Sequence, residues 1–371
     1  MELINISTNI NKFDTLKDFF MEFQVGQKDL ILTHEFLYDG FMKDLNTSSS
    51  YIMQEKYGTG EPSDEMMNNI LKDIKDIDFE RIIAIGGGTV LDIAKVLVLK
   101  DIKDVVDAFE KTVPLVKVKE LIAVPTTCGT GSEVTNITIA ELKSKGTKMG
   151  LAVKELIPDH AVLIPELIKG LPFKFYGYSS VDALIHAVES NVSPKSNPYT
   201  KLFSEKAIRI ILDIYLNIAE SGEDYRFERL EDMLIASNYA GIAFGNTGVG
   251  AVHALSYPLG GTYHVPHGEA NYQFFTEVFK VYNRKNPDGR IKELNKILSE
   301  ALNTHEENVY EELDSLLGKI MSKNQLQTYG MKDEEVKGFA NKVINTQQRL
   351  LNNNYVELSE SEIEAIYRVL Y

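Results

Sequence analysis

Asp182 and His186, four residues apart within Ser180–Ala187, are the first residues whose types and spacing could do chemistry. On a helix, positions i and i+4 share a face one turn apart, so a carboxylate and an imidazole there can hold one ion together. Two more histidines stand in informative settings: His253 in a helical stretch, Gly250–Leu255, and His267 at a loop or helix start, His264–Glu269. One carboxylate and three imidazoles make a mixed oxygen and nitrogen donor set suited to Fe²⁺ or Zn²⁺. Spacing alone does not join residue 182 to residue 253, and Asp182–His186 by itself also suits an ordinary ion pair on a helix surface. The single cysteine, Cys128, excludes an intrachain disulfide and a cysteine-only zinc site.

A second kind of chemistry lies earlier. The apolar run Ile82–Ile85 leads into Gly86, Gly87, Gly88 and Thr89, then into a helical pattern. Glycines let backbone N–H groups approach a phosphate, and the helix that follows offers free donors at the positive end of its dipole. Thr89 is a candidate cap and hydroxyl donor. The run is not GxGxxG, and a tight turn without a ligand remains open for it taken alone. Another polar loop, Pro125–Glu133, follows the next apolar run and is rich in small hydroxyl residues. Ligands of open α/β sheets bind at such strand ends. Two such loops make a nucleotide site more credible than either one.

The elements that must position these groups fall into two regions. Residues 1–168 alternate short apolar runs (Leu30–Thr33, Arg81–Ile85, Leu121–Val124, Ala161–Ile164) with helical patterns, among them Ser63–Ile74 behind a serine cap. Near-continuous apolar strands suit a parallel sheet covered on both faces. The expectation is an α/β, Rossmann-like dinucleotide-binding domain over 1–168 and an all-α metal-binding domain over 169–371, with the linker near Pro165–Pro172. The chain carries 39 Lys+Arg against 54 Asp+Glu, a net charge of −15. That balance argues against phosphate-driven nucleic-acid binding and against docking on anionic membranes. The opening residues lack a basic region followed by an apolar run, and no apolar stretch nears the ~20 residues of a spanning helix, so a cytoplasmic protein is expected.

Five collinear motifs resemble the iron-containing (group III) alcohol dehydrogenase family: Gly86–Lys95, Pro125–Thr135, Val181–Glu189, His253–Gly260 and Pro266–Asn271. Within it the chain looks most like the members that act on 4-hydroxybutyrate. The resemblance implies metal ligation by Asp182, His186, His253 and His267, with iron as the metal and zinc as the substitute. It implies that Gly86, Gly87, Gly88 and Thr89 hold the pyrophosphate of NAD, and that Asp92, Thr126, Thr127, Thr130 and Lys148 line the rest of the cofactor site. Two departures stand out. Tyr257 occupies a position where family members often carry a proton-relaying histidine, which leaves His264 or Tyr257 as the relay. His34 stands at a strand end where NAD-preferring members often have aspartate, so NADP stays open, with Glu35 as the nearest acidic residue in sequence.

The implied reaction is hydride transfer between 4-hydroxybutyrate and succinic semialdehyde, on a small alcohol or aldehyde substrate bearing a carboxylate. Tyr239, Asn246, Tyr257 and His264 are candidate substrate contacts because they flank His253 and His267. Competing readings are a family member acting on a neutral primary alcohol or a diol such as 1,3-propanediol, and a dehydroquinate-synthase-like lyase. A homodimer is the expected assembly.

Overall fold

The structure, a computed structural model, describes residues 2–371. Residues 6–171 form one compact unit, and residues 172–371 together with residues 2–5 form a second. The sequence placed the division at 168/169 and did not foresee that the first residues join the helical unit.

The first unit runs β1 (Asn9–Lys12), α1 (Leu16–Glu22), β2 (Asp29–Thr33), α2 (Glu35–Leu37), β3 (Ser50–Met53), α3 (Asp64–Ile74), β4 (Arg81–Gly86), α4 (Gly88–Leu97), α5 (Val105–Phe109), β5 (Glu120–Pro125), β6 (Ile137–Leu142), β7 (Thr147–Ala152), β8 (His160–Leu163) and α6 (Pro165–Ile168). Six parallel strands form a sheet in the order β1-β8-β5-β4-β2-β3, and β6 and β7 make a separate antiparallel hairpin. Side chains alternate across a strand, so the apolar runs divide between two cores. Leu30, Leu32, Ile82, Ala84, Leu121 and Ala123 face α3, α4 and α5. Ile31, Ile83, Ile85, Ile122 and Val124 face α1. Both faces are thus covered, as continuous apolar strands require. Ser63 caps α3 by accepting from the Met66 N–H at 3.3 Å.

The chain steps from β2 outward to β3, then returns to β4 and proceeds the other way through β5 to β8. The reversal places the carboxyl ends of β2 and β4 side by side, the position where open α/β sheets bind ligands.

The second unit is built from α7 (Phe173–Val192), α8 (Pro198–Ser221), α9 (Leu230–Thr247), α10 (Ala251–Tyr263), α11 (His267–Lys285), α12 (Arg290–Leu302), α13 (Val309–Ile320), α14 (Glu335–Thr346), α15 (Gln348–Leu351) and α16 (Glu360–Leu370). From Tyr176 onward α7 is buried nearly all round and packs against α8, α9 and α11. A helix buried on every face belongs at the centre of its bundle, and the polar residues it carries, Asp182, His186 and Glu189, are buried with it. Asn197 caps α8 in a capping box with Thr200, and its side-chain amide also donates to the Leu3 carbonyl at 2.8 Å. Asn5 exchanges two hydrogen bonds with the Asn246 side chain, at 2.7 and 3.1 Å. Among the described residues, no helix is long and apolar enough to cross a membrane.

Candidate active site

The central helix α7 carries Asp182 and His186 on one face, α10 carries His253, and α11 begins at His267. Each offers one ligand atom, and these four atoms lie within 4.8 Å of one another. His253 Nε2 is 3.1 Å from His186 Nε2 and 3.8 Å from Asp182 Oδ1. Asp182 Oδ2 is 3.9 Å from His186 Nε2 and 3.8 Å from His267 Nε2. Asp182, His186 and His253 are buried, whereas His267 is partly open. The Phe244 ring stacks on the His186 imidazole at 4.1 Å and covers one face of it.

Outside the four lies a tier of hydrogen bonds. Glu189, one turn beyond His186, accepts from His253 Nδ1 at 2.6 Å and from the Val252 N–H at 2.8 Å. Asn271, four residues beyond His267, donates to Asp182 Oδ1 at 2.7 Å. The Asn271 oxygen accepts from the Ser256 hydroxyl. Burial alone would raise the Asp182 pKa, but the three imidazoles and Asn271 hold it below the ordinary carboxylate value. Burial alone would lower His253, but the Glu189 charge and hydrogen bond, with Asp182, raise it. Neither Glu189 nor Asn271 was singled out from sequence. Their positions, i+3 from one ligand and i+4 from another, were the available signal.

These donors fit a divalent cation. One carboxylate and three imidazoles converge where water has little access, with two ring nitrogens 3.1 Å apart. That is a mixed oxygen and nitrogen set of the kind zinc and ferrous iron take.

The glycine run joins a strand to a helix, as expected, with one correction. Gly86 ends β4, Gly87 caps α4, and Gly88 is the first helical residue. Thr89 lies inside the helix and does not cap it; its hydroxyl donates to the Gly60 carbonyl at 3.0 Å. The second loop packs on the first: a Cβ on Gly87 would lie 3.5 Å from Thr127 Cγ2, and one on Gly88 only 2.8 Å from Thr130 Cγ2. Thr126 is buried at the loop's start and donates its backbone N–H to the Gly86 carbonyl. Asp92 is committed within the fold. Its carboxylate accepts from the Ser132 hydroxyl at 2.6 Å and the Ile139 N–H at 2.9 Å, tying α4 to the second loop and β6. Beside it, Lys95 is wholly buried and donates to Ser132 Oγ, Thr135 Oγ1 and the Ile137 carbonyl at 2.7, 3.0 and 2.7 Å. Burial pushes the Lys95 ammonium down to about 8. Lys148, on β7, pairs with Glu61. Cys128 is buried within the second loop.

At the end of β2, His34 Nδ1 lies 3.3 Å from Glu55, and the Glu35 backbone N–H donates to the same carboxylate at 2.6 Å. Burial tends to raise Glu55, but the Glu35 N–H and His34 pull it below the ordinary value. The acidic side chain beside His34 is therefore Glu55, not the sequence neighbour Glu35.

The remaining expected residues separate. Tyr257 lies with its ring centroid 6.2 Å from that of His267. His264 is exposed and closes α10 in the left-handed conformation, φ 55°. Asn246 does not serve as a free substrate contact, because its side chain holds Asn5 and the Ile242 carbonyl. Tyr239 packs edge-on against Phe203.

Residues 5–165 match the iron-containing alcohol dehydrogenase family, and residues 177–371 match the C-terminal region of the Fe-containing alcohol dehydrogenase family. The chain belongs to the iron-containing alcohol dehydrogenases. It is 58% identical over 371 residues, the whole of both chains, to 4-hydroxybutyrate dehydrogenase of Clostridium kluyveri. Its fold is similar to that of sulfoacetaldehyde reductase from Bifidobacterium kashiwanohense, solved in complex with NAD⁺, with TM-score 0.86 and 21% identity over 99% of this chain and 98% of that one. It is similar also to 1,3-propanediol oxidoreductase, with TM-score 0.84 and 23% identity over 99% of each chain. Membership accounts for the common order of the five motifs and excludes the lyase reading.

Proposed function

We propose that the protein is a metal-dependent NAD(H) oxidoreductase that interconverts 4-hydroxybutyrate and succinic semialdehyde. The observation that carries this reading is the end-to-end 58% identity to the Clostridium kluyveri enzyme, in a chain whose four ligand residues converge. In the oxidising direction, 4-hydroxybutyrate and NAD⁺ give succinic semialdehyde, NADH and a proton.

Asp182, His186, His253 and His267 would hold the cation, Fe²⁺ in the family's usual form and Zn²⁺ as the substitute. When bound, it supplies Lewis acidity that favours ionisation of the substrate hydroxyl. The chain's own residues do the rest. Gly86, Gly87, Gly88 and Thr89 present the backbone and the α4 N-terminus to a pyrophosphate. Thr126, Thr127 and Thr130 offer hydroxyls from the loop packed on that run. Asp92 holds this loop in place, and Lys148 reaches the cofactor from the hairpin. Glu55, kept ionised beside His34, supports NAD over NADP because its charge would oppose a 2′-phosphate. Tyr257 Oη or an imidazole nitrogen of His264 carries the released proton towards solvent.

The test is an anaerobic assay with metal analysis on one preparation, across 4-hydroxybutyrate, 1,3-propanediol and butanol and with both NAD and NADP. The proposal expects the highest kcat/KM with 4-hydroxybutyrate and NAD, and loss of turnover on chelation. A preference for either neutral alcohol would overturn the substrate assignment. H264Q and Y257F, assayed across pH, identify the proton carrier. A pH–rate profile unchanged in both would remove the two from that role.

A further inference from the structure

We infer that Glu189 is a positioning residue of the metal centre: its buried carboxylate fixes the tautomer of His253 and so sets how tightly the four-residue site holds a divalent cation. The inference rests on the reading of Asp182, His186, His253 and His267 as the ligand set.

Three observations carry it. Asp182, His186 and Glu189 succeed one another at i, i+4 and i+7 along one face of α7, so a single helix supplies two ligands and the partner of a third. The Glu189 side chain is 3% exposed and that of His253 is 2% exposed, so water does not compete for their 2.6 Å contact. The other Glu189 oxygen accepts from the Val252 N–H, in the first turn of the helix that carries His253. One carboxylate therefore anchors both the ring and the helix start beneath it.

The chemical consequence follows from donor and acceptor roles. One Glu189 oxygen takes the Val252 N–H and the other faces His253 Nδ1 as its acceptor, so the proton of the His253 ring resides on Nδ1. Nε2 then carries a lone pair, and Nε2 is the atom that faces His186 and Asp182. A carboxylate behind a ligating imidazole also increases its donor strength, and loss of such a partner commonly costs 10–100-fold in metal affinity.

Glu189→Gln separates positioning from packing. Glutamine has the same shape but a single acceptor oxygen, so it cannot meet His253 Nδ1–H and the Val252 N–H with separate oxygens as Glu189 does. If its amide faces the ring, the tautomer inverts and Nε2 carries a proton. The probe is Co²⁺, read by chelator competition and by its visible absorption. Thermal unfolding of the metal-free proteins runs alongside. The parent should bind one Co²⁺ per chain. Glu189→Gln should bind 10–100-fold more weakly with an altered spectrum, while its metal-free form still unfolds cooperatively, somewhat earlier than the parent because one buried contact is weakened. Glu189→Asp, which keeps the charge, should recover part of the affinity. Glu189→Gln binding within twofold of the parent, with the same spectrum, would overturn the inference alone. So would an affinity loss that Glu189→Asp shares in full and that tracks unfolding of the metal-free chain. A parent that binds no Co²⁺ would instead overturn the ligand assignment, and the inference with it.

Discussion

Gly268, directly after the ligand His267, lets α11 lie close against the α7 backbone. A Cβ there would lie 2.2 Å from the Tyr178 carbonyl oxygen and 3.4 Å from Asp182 Cβ. Real Cβ atoms essentially never come closer than 3.0 Å, so Gly268→Ala must part the two helices by at least 0.8 Å. The obstacle is backbone and cannot turn aside. Overpacking of this kind costs about 1–3 kcal/mol, and the better helix propensity of alanine returns ~1 kcal/mol, leaving a net loss of up to about 2 kcal/mol. The effect on the metal should be larger than the effect on folding. His267 belongs to one helix and Asp182 and His186 to the other, and their 3.8 Å spacing would widen by several times the ~0.2 Å tolerance of a metal–ligand distance. At least a tenfold drop in cation affinity is expected, by the same scale that applies to a disturbed ligand shell. The assay is a Co²⁺ titration against a chelator, paired with urea unfolding of the metal-free protein. Gly338→Ala on α14 is the control, because a Cβ there meets nothing within 4 Å. It should stabilise by ~0.5–1 kcal/mol and leave metal binding alone. If Gly268→Ala bound Co²⁺ as the parent does and unfolded no earlier, the close approach of α7 and α11 would not be what sets the ligand spacing.

Gly88→Ala should raise the Kd for NAD more than tenfold, since its Cβ would press on Thr130 Cγ2; the double variant with Thr130→Ser, which removes that methyl group, should recover part of the loss in a fluorescence titration. Lys95→Met should strip the donor from Ser132, Thr135 and Ile137 and weaken NAD binding through the second loop. It should also change the pH dependence of stability. The folded Lys95 titrates near 8 against 10.5 for an ordinary lysine, so between those values the unfolded chain binds more protons. The Lys95 contribution is therefore fully present above about 10.5 and lost as pH falls through about 8. Urea unfolding from pH 8 to 10 should rise more steeply in the parent than in Lys95→Met, and equal slopes would refute the assignment. Addition of a divalent cation at 100 times its Kd should stabilise the metal-free chain by about 2.7 kcal/mol, and a concentration-independent midpoint would count against a native site.

The apolar runs that became β2, β4, β5 and β8 were legible because interior parallel strands must be apolar on both faces. β1 and β3 were not. They are the two edges of the sheet, each paired on one side only, and Asn9–Lys12 shows no apolar run at all. The four ligands could be named from residue type and motif, but their convergence could not, because residues 186 and 253 meet only through the packing of three helices. Glu189 and Asn271 escaped notice for another reason. Their role lies in hydrogen bonds to other side chains, and a helix pattern records only that a polar residue faces inward. Glu55 lies 21 residues from His34 and reaches it because β2 and β3 are neighbours, a pairing that local pattern does not announce.

The clasp of Leu3 and Asn5 on Asn197 and Asn246 carries a consequence for synthesis. Asn5 leaves the ribosome first, yet its partner stands 241 positions later. At ~5–20 residues per second, roughly 10–50 s separate the two. The α/β unit can therefore be complete while the opening strand of chain still waits for α8 and α9, and the helical unit cannot be produced as one uninterrupted fragment without losing that clasp. A split after Leu171 would separate the pieces of a shared unit, whereas a version that rejoins residues 2–5 to the helical fragment would restore them.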